Sequence, residues 1–380
     1  MSRTALIALC LMSFSNTAFG SLWESPDWAV VGTLSGSAGY DSNLTLVHDG
    51  AGAYVISTNP YLTLTRRNSE TDFEISGGVT ETEFVDSSLP LETDLTFSTV
   101  YVYPSGDNVI PIYRFQATWT RGSQPDQYLG ERIRNEQVVI SGEGYLPLTG
   151  KVGIRTNAEF DYGAYDSNEL NDTYHGQVFA GLAYTRHEGS EFSLNLGTAV
   201  GRSIPNDPAN VVSNVRSQEY YATGRVRGYI TNKISGDAYA GFGVVDYSGG
   251  YNNRNELPVA GADLTWGIDP RRTVVLAAYS GATYAPNGQA VDTEHAFLSF
   301  TDVVISGWQV TVRAGPAHSR FSQQTVQRSD NSWDCAAEFA YLPSDRFKVA
   351  LDVSYSQRNS DVITYQFGHR VITLGSTYRF

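Results

Sequence analysis

Ile372-Thr373-Leu374-Gly375-Ser376-Thr377-Tyr378-Arg379-Phe380 alternates apolar and polar residues up to the last position and stops on a phenylalanine. Alternation of this kind marks a β-strand with one dry and one wet face. A strand that runs to the terminus presents a row of unpaired backbone N–H and C=O groups unless another strand covers it. In a closed barrel the final strand pairs with the first and the edge disappears, so every backbone group is satisfied without water. The stretch predicts an all-β fold, a transmembrane antiparallel β-barrel.

The terminal strand, with Ile372, Leu374 and Tyr378 on one face before Phe380, resembles the C-terminal signature of bacterial outer-membrane β-barrels, and Ser376 interrupts the apolar run. The other end of the chain agrees. Arg3, the apolar run Ala5 to Met12 and the small residues of Ala18-Phe19-Gly20 read as a cleaved secretory signal over residues 1–20, leaving 21–380 as the barrel. The run is too short for a membrane-spanning helix, which takes roughly 20 residues. Cys10 follows Leu9, where a lipoprotein signal would want a small residue, so lipidation is not expected.

Composition excludes several classes. A net charge of −14 argues against a nucleic-acid binder. Of the two cysteines, only Cys335 lies outside the signal, so no internal disulfide can form. Two methionines against 24 tyrosines and 36 glycines describe strands and turns rather than helices.

The strands show their period openly. Tyr113, Phe115, Ala117 and Trp119 alternate with Arg114, Gln116, Thr118 and Thr120. Phe347, Val349, Leu351, Val353 and Tyr355 alternate with Lys348, Ala350, Asp352, Ser354 and Ser356, and Trp308, Val310, Val312 and Ala314 with Gln309, Thr311 and Arg313. Segments of about ten residues suit tilted membrane strands. No helix is available to cover the greasy face, so lipid is the expected cover.

Short turns recur at 66–68, 104–107, 147–150, 187–189, 231–233, 269–271, 305–307 and 343–345, and between them fall connections richer in Asn, Asp, Gln and Ser at 41–51, 85–90, 122–131, 166–172, 204–214, 248–256, 285–290, 322–332 and 357–361. These join about 18 strands, an even number that returns both termini to one side. Sixteen is the alternative if 305–307 and 357–361 are not connections. The first strand is expected near Trp28, with no plug or periplasmic domain before it. A barrel of this size is too wide for side chains to fill, so an aqueous passage is expected, and a lumen plugged by an inward loop is the alternative.

Gly39-Tyr40-Asp41-Ser42-Asn43-Leu44, echoed at Ala164-Tyr165-Asp166-Ser167-Asn168, resembles a loop signature of porin-like outer-membrane barrels often linked to exopolysaccharide or exosortase systems. Architecture over the mature chain and these two motifs carry the resemblance. It implies a passive channel for hydrophilic solutes in the bacterial outer membrane, through which a secreted exopolysaccharide could leave. It also implies as partners outer-membrane lipid, the barrel-assembly machinery acting on the C-terminal strand through Tyr378 and Phe380, and polysaccharide export components. Without a ligand, the same motif reads as Tyr40 and Tyr165 in an outer aromatic girdle, with Asp and Asn turning the chain.

Alternation aims Arg114, Arg155, Glu159, Asp161, Arg225, Arg227, Arg313, Lys348 and Asp352 into the lumen, as a transverse field or simply a wet lining. Tyr221, Tyr229 and Tyr239 fall inward as well, near Phe179, and could stack on sugar rings. Trp119, Trp266, Trp308 and Trp333 are expected at the lipid headgroups, and Cys335 on the outward face as a small apolar residue. Carboxylates are too sparse for a calcium cage, no metal-binding histidine spacing occurs, and no catalytic or cofactor residue is assigned. His318-Ser319 is the one direct His-Ser pair, aimed at opposite faces. An outer-membrane hydrolase or a non-conducting barrel or adhesin remains the alternative function.

Overall fold

Alternating stretches of 12 to 17 residues exceed ordinary globular strands of about 5–6 residues and are long enough to cross a bilayer at a tilt. The computed structural model describes residues 22–380 apart from 69, 86, 105–111, 127–130, 168–169, 188, 207–214, 250–252, 286–289, 306 and 323–327. Its strands are β1 (Trp23–Glu24), β2 (Trp28–Asp41), β3 (Ala53–Arg67), β4 (Asp72–Val85), β5 (Glu92–Tyr103), β6 (Tyr113–Asp126), β7 (Glu131–Pro147), β8 (Val152–Tyr165), β9 (Asn171–His187) and β10 (Ser190–Pro205). There follow β11 (Val215–Tyr229), β12 (Ile234–Gly249), β13 (Asn253–Asp269), β14 (Arg272–Tyr284), β15 (Ala290–Ile305), β16 (Trp308–Ser322), β17 (Arg328–Ser344), β18 (Phe347–Ser360) and β19 (Phe367–Arg379), with one 3-10 turn at Ile363–Tyr365.

From β2 onward each strand pairs antiparallel with the next, and β19 returns to β2. The closing ladder runs from Val371 opposite Asp41 to Arg379 opposite Thr33, and Phe380 N donates to Gly32 O at 2.7 Å. Eighteen strands therefore close a barrel, as the C-terminal stretch predicts. Below the end of β19 the free edge of β2 is covered by β1, Trp23 opposite Val30 and Glu24 opposite Ala29. The sequence pattern gives no hint of this small strand. It seals the few residues of β2 that β19 is too short to reach, and a side chain at Gly32 would press on Leu22 and Phe380.

Connections fall where the polar clusters place them, but several strands run further than the pattern suggests. Strand β12 continues to Gly249 and β13 resumes at Asn253, within the predicted 248–256 loop, and β16 and β17 leave only 323–327 of the predicted 322–332. Above the membrane both faces are wet, so polarity no longer reports the ladder, while backbone pairing still sustains the strand. The short turns are closed locally: Asp269 Oδ1 accepts the backbone N–H groups of Arg271 and Arg272 at 2.9 and 3.0 Å, which holds this exposed carboxyl below the usual range.

The register is consistent around the ring and divides the residues into two faces. On one stand Leu194, Leu196 and Phe242, 74, 72 and 78 % exposed. Apolar side chains so open on β10 and β12, with Tyr220 of the intervening β11 55 % exposed, mark a lipid-facing belt. On the other face, ion pairs form between strands that are not neighbours, which only the concave side permits. Tyr40 lies in the outer girdle, its ring 5.3 Å from that of Tyr54. Tyr165 does not: it stands opposite Asn135 in register with inward Gly163, so the girdle reading of the second motif is corrected, and Asn168 lies outside the described residues. Trp266 and Trp308 sit by strand ends as expected. Trp119 and Trp333 sit well inside β6 and β17, because these strands rise past the headgroup level.

Candidate functional site: the lumen

Glu143 on β7 and Arg227 on β11 are four strands apart, yet Arg227 Nη1 donates to Glu143 Oε2 at 2.6 Å. Strands about 4.8 Å apart and tilted by about 40° make a circular 18-strand barrel roughly 36 Å across, in which a four-strand chord measures about 23 Å. Arginine and glutamate side chains together reach only about 12 Å. The wall from β7 to β11 is therefore curled inward, and the bore is not circular.

Charges hold this curl near the end that carries the short turns, the periplasmic side. Arg155 on β8 clasps Glu191 on β10 through Nε at 3.1 Å and Nη2 at 2.5 Å, both residues being buried. Glu191 stands directly opposite Arg227. Asp237 accepts from Arg227 Nε at 3.2 Å and from both the Nε, at 2.7 Å, and the Nη2 of Arg225. Three arginines and three carboxylates thus neutralise one another. A buried charge needs such a partner, since desolvation costs several kcal/mol per ion.

Beside this network a cavity of about 620 Å³ opens into the lumen. One wall bears Glu159, Asp161 and His175. Gln137 Nε2 approaches the two carboxylate oxygens of Asp161 at 3.4 and 3.3 Å, and His175 lies 3.6 Å from Glu219. Glu219 also accepts from Ser217 Oγ at 2.7 Å and from the Tyr221 hydroxyl. The facing wall is aromatic: Phe179, Tyr221, Tyr239, Tyr279 and His295. Phe179 stacks on Tyr221 with centroids 5.8 Å apart, and His295 lies 5.5 Å from Tyr279 and 6.2 Å from Phe297.

Glycine explains why these rings lie flat. Phe179 covers Gly197, Tyr221 covers Gly243 and Tyr239 covers Gly261, each on the next strand, where a Cβ would collide with the ring. The rings thereby turn a face toward the water. A second cavity of about 400 Å³ adjoins the first through Thr293 and His295 and is lined by Arg313, Asp334, Arg358 and His369. At the outer mouth, Arg328 lies between the rings of Phe321 and Tyr365, at 4.2 and 3.5 Å, and binds Asp330 at 2.5 Å. Leu44 and Leu89 fold in over Ala53, Val55 and Phe84. The loops after β2, β4 and β18 thus lean into the opening.

The nine charged positions that alternation aims inward all take the concave face in this register. Arg155, Glu159, Asp161 and Arg225 line the larger cavity and Arg313 the smaller. Lys348 bridges to Glu338 at 2.5 Å, with Asp352 opposite Glu338, Arg227 belongs to the ion network, and Arg114 on β6 stands opposite Glu143 in the ladder. Of the three tyrosines, Tyr221 and Tyr239 share the larger cavity, whereas Tyr229 is not among its lining residues: it ends β11, its carbonyl accepting from Ser190 Oγ at 2.5 Å. Sequence reasoning overlooked Glu143, Glu191, Glu219 and Asp237, the partners on the same face, and Tyr279, His295 and Phe297, which extend the aromatic wall. The period-two register that selected Tyr221 and Arg225 also contains them. His318 engages Asn331 Oδ1 at 2.8 Å and accepts from Arg320 Nε at 3.0 Å, while Ser319 takes the opposite face. Among the described residues, no cluster of three or more His, Cys, Asp or Glu could hold a metal ion.

Residues 203–380 match the family model described as Putative beta-barrel porin 2. Over this C-terminal part the chain is similar to that family, and the whole is a closed 18-strand antiparallel β-barrel. No curated protein matches it. Among solved structures it is similar to the siderophore receptor PirA from Pseudomonas aeruginosa, at 12 % identity and TM-score 0.43, covering 94 % of this chain and 81 % of that one. It is also similar to the copper transporter OprC, at 9 %, 0.45, 89 % and 62 %, and to OccAB3 from Acinetobacter baumannii, at 8 %, 0.42, 93 % and 100 %. The barrel resides in the bacterial outer membrane, its apolar belt in contact with lipid.

Proposed function

We propose that this barrel is a passive channel for hydrophilic solutes and that its solute is a secreted polysaccharide on its way out of the cell. The observation that supports the reading is the row of aromatic faces, Phe179, Tyr221, Tyr239, Tyr279 and Phe297, laid flat along adjoining cavities and opposed by charged and hydroxyl side chains. Apolar ring faces suit the C–H faces of sugars, and the polar wall suits their hydroxyls. A chain of sugars could slide by exchanging one ring for the next, held at many weak points rather than one strong one. No catalytic residue enters this proposal. Residues 1–20, outside the described residues, act in it as the export signal, and the strand ending on Tyr378 and Phe380 as the element that the barrel-assembly machinery engages. Polysaccharide export components would deliver the chain at the periplasmic mouth.

Planar-bilayer recording tests the channel, and added glucan oligosaccharides test the solute. Oligosaccharide is expected to interrupt the ion current at millimolar concentration. The Tyr221→Ala/Tyr239→Ala variant is expected to need about tenfold more, since a ring stacked on a ligand contributes on the order of 1 kcal/mol or more. A purified barrel that passes no ions would end the channel reading. Block that is unchanged in the variant would end the glycan reading alone.

A further inference from the structure

Arg202 on β10 and Arg216 on β11 are direct cross-strand partners on the lipid-facing side, both exposed, at the extracellular ends of their strands. Like charges directly opposite one another destabilise a sheet. Neighbouring arginines on this side have acids: Arg254 has Asp246 at 3.8 Å, and Arg121 and Arg134 share Asp166 at 3.9 and 3.7 Å. Among the described residues, Arg202 and Arg216 have no carboxylate and no hydrogen-bond partner. An anion from outside the protein would relieve the repulsion, and two guanidinium groups side by side match the oxygens of a phosphate.

Their height on the barrel says which anion. Below Arg202 on the outward face come Val200, then Thr198, then Leu196, Leu194 and Phe192, the four apolar residues 60, 72, 74 and 45 % exposed, with Tyr220 and Phe242 beside them. A strand rising about 3.3 Å per residue at a tilt of about 40° climbs roughly 25 Å over the ten residues from Phe192 to Arg202, the height of the apolar band of such barrels. The pair therefore stands at the outer limit of the hydrocarbon, above the most exposed apolar strip of the belt. On its other side Arg202 faces Tyr174, whose ring lies 4.8 Å from that of Tyr162. Phosphate-binding arginines, an aromatic pair for a sugar and an apolar strip below belong together on one ligand.

We propose that Arg202 and Arg216 form a site for the phosphate groups of a multiply acylated, phosphorylated glycolipid of the outer leaflet, its sugars beside Tyr162 and Tyr174 and its acyl chains on the upper half of the strip, from Val200 down to Leu196. The proposal rests on the outer-membrane location and not on what the lumen conducts. Affinity for purified lipid A, read by native mass spectrometry on the detergent-solubilised barrel, tests it. Replacing both residues (R202Q/R216Q) is expected to weaken binding about 30-fold, whereas R254Q should bind within a factor of two of the wild type. Lipid A stripped of its phosphates should bind the wild type no better than intact lipid A binds the double variant. Equimolar inorganic phosphate should leave the lipid bound. Equal affinity for wild type and double variant, or for intact and dephosphorylated lipid, overturns the proposal. Displacement by equimolar inorganic phosphate also overturns it, because the pair would then be a site for free anions. If the double variant fails to show the heat-modifiable band of a folded barrel, the single variants R202Q and R216Q read the same comparison.

Discussion

Arg227 is held at once by Glu143 at 2.6 Å and Asp237 at 3.2 Å, and it stands opposite Glu191. Its removal leaves carboxylates facing each other with less positive charge than they need, in a lobe where Glu143 is 7 % exposed. Breaking a buried pair costs about 3–5 kcal/mol, and with Asp237 about a quarter exposed the expected loss for R227A is about 2–3 kcal/mol. The urea midpoint of unfolding from vesicles measures it. Conductance should rise in the same variant, because the contact that curls β7 toward β11 is gone. An unchanged midpoint with unchanged conductance would show that the curl does not depend on this residue. Alternation in the sequence puts Arg227 on the inner face, yet it cannot say which of the many inner carboxylates Arg227 meets. That depends on the curvature of the whole wall.

Strand identity, by contrast, is written residue by residue. In β10 the outward Phe192, Leu194, Leu196 and Val200 alternate with the inward Glu191, Ser193, Asn195 and Ala199, and no other fold of this segment separates the two sets. An arginine at Leu194 would stand in mid-bilayer, so L194R is expected to cost about 2–4 kcal/mol in the same vesicle assay, against about 1 kcal/mol at the rim. The seam between β19 and β2 was equally legible, from the terminal alternation ending on Phe380. Here Ser35 and Thr377 stand opposite each other on the inner face. Cysteines at both positions, in a C335S background, are expected to form a disulfide without added catalyst, and a boiled, unreduced sample should keep a compact gel mobility that reductant abolishes. Absence of that crosslink in a folded sample would refute the registered closure. Illegible at this scale were β1, two residues too short to carry a period, and the upper parts of β12, β13, β16 and β17, where both faces are wet and the alternation carries no contrast.

At the scale of the whole molecule the question is which charges the conducted water meets. The chain carries a net charge of −14, but the inner arginines are mostly spent on inner acids: Arg155 on Glu191, and Arg225 and Arg227 on Asp237 and Glu143. Glu159 and Asp161 lie in the same cavity, Asp161 with the amide of Gln137 as its one hydrogen-bond partner among the described residues. The field along the larger cavity is therefore negative although arginines line it. Cations should be concentrated there over anions, and the effect should depend on salt, because charges are screened over about 10 Å at 0.1 M and about 3 Å at 1 M. In a bilayer bathed by unequal KCl solutions near 0.1 M, the reversal potential is expected to lie on the potassium side and to approach zero when both solutions are near 1 M. Removing the two acids (E159Q/D161N) should bring the low-salt value toward zero as well, while leaving the Arg155–Glu191 and Arg227–Glu143 contacts in place and the barrel folded. A reversal potential on the chloride side at low salt would mean that Arg114 and Arg313, rather than the acids of the aromatic cavity, govern what passes.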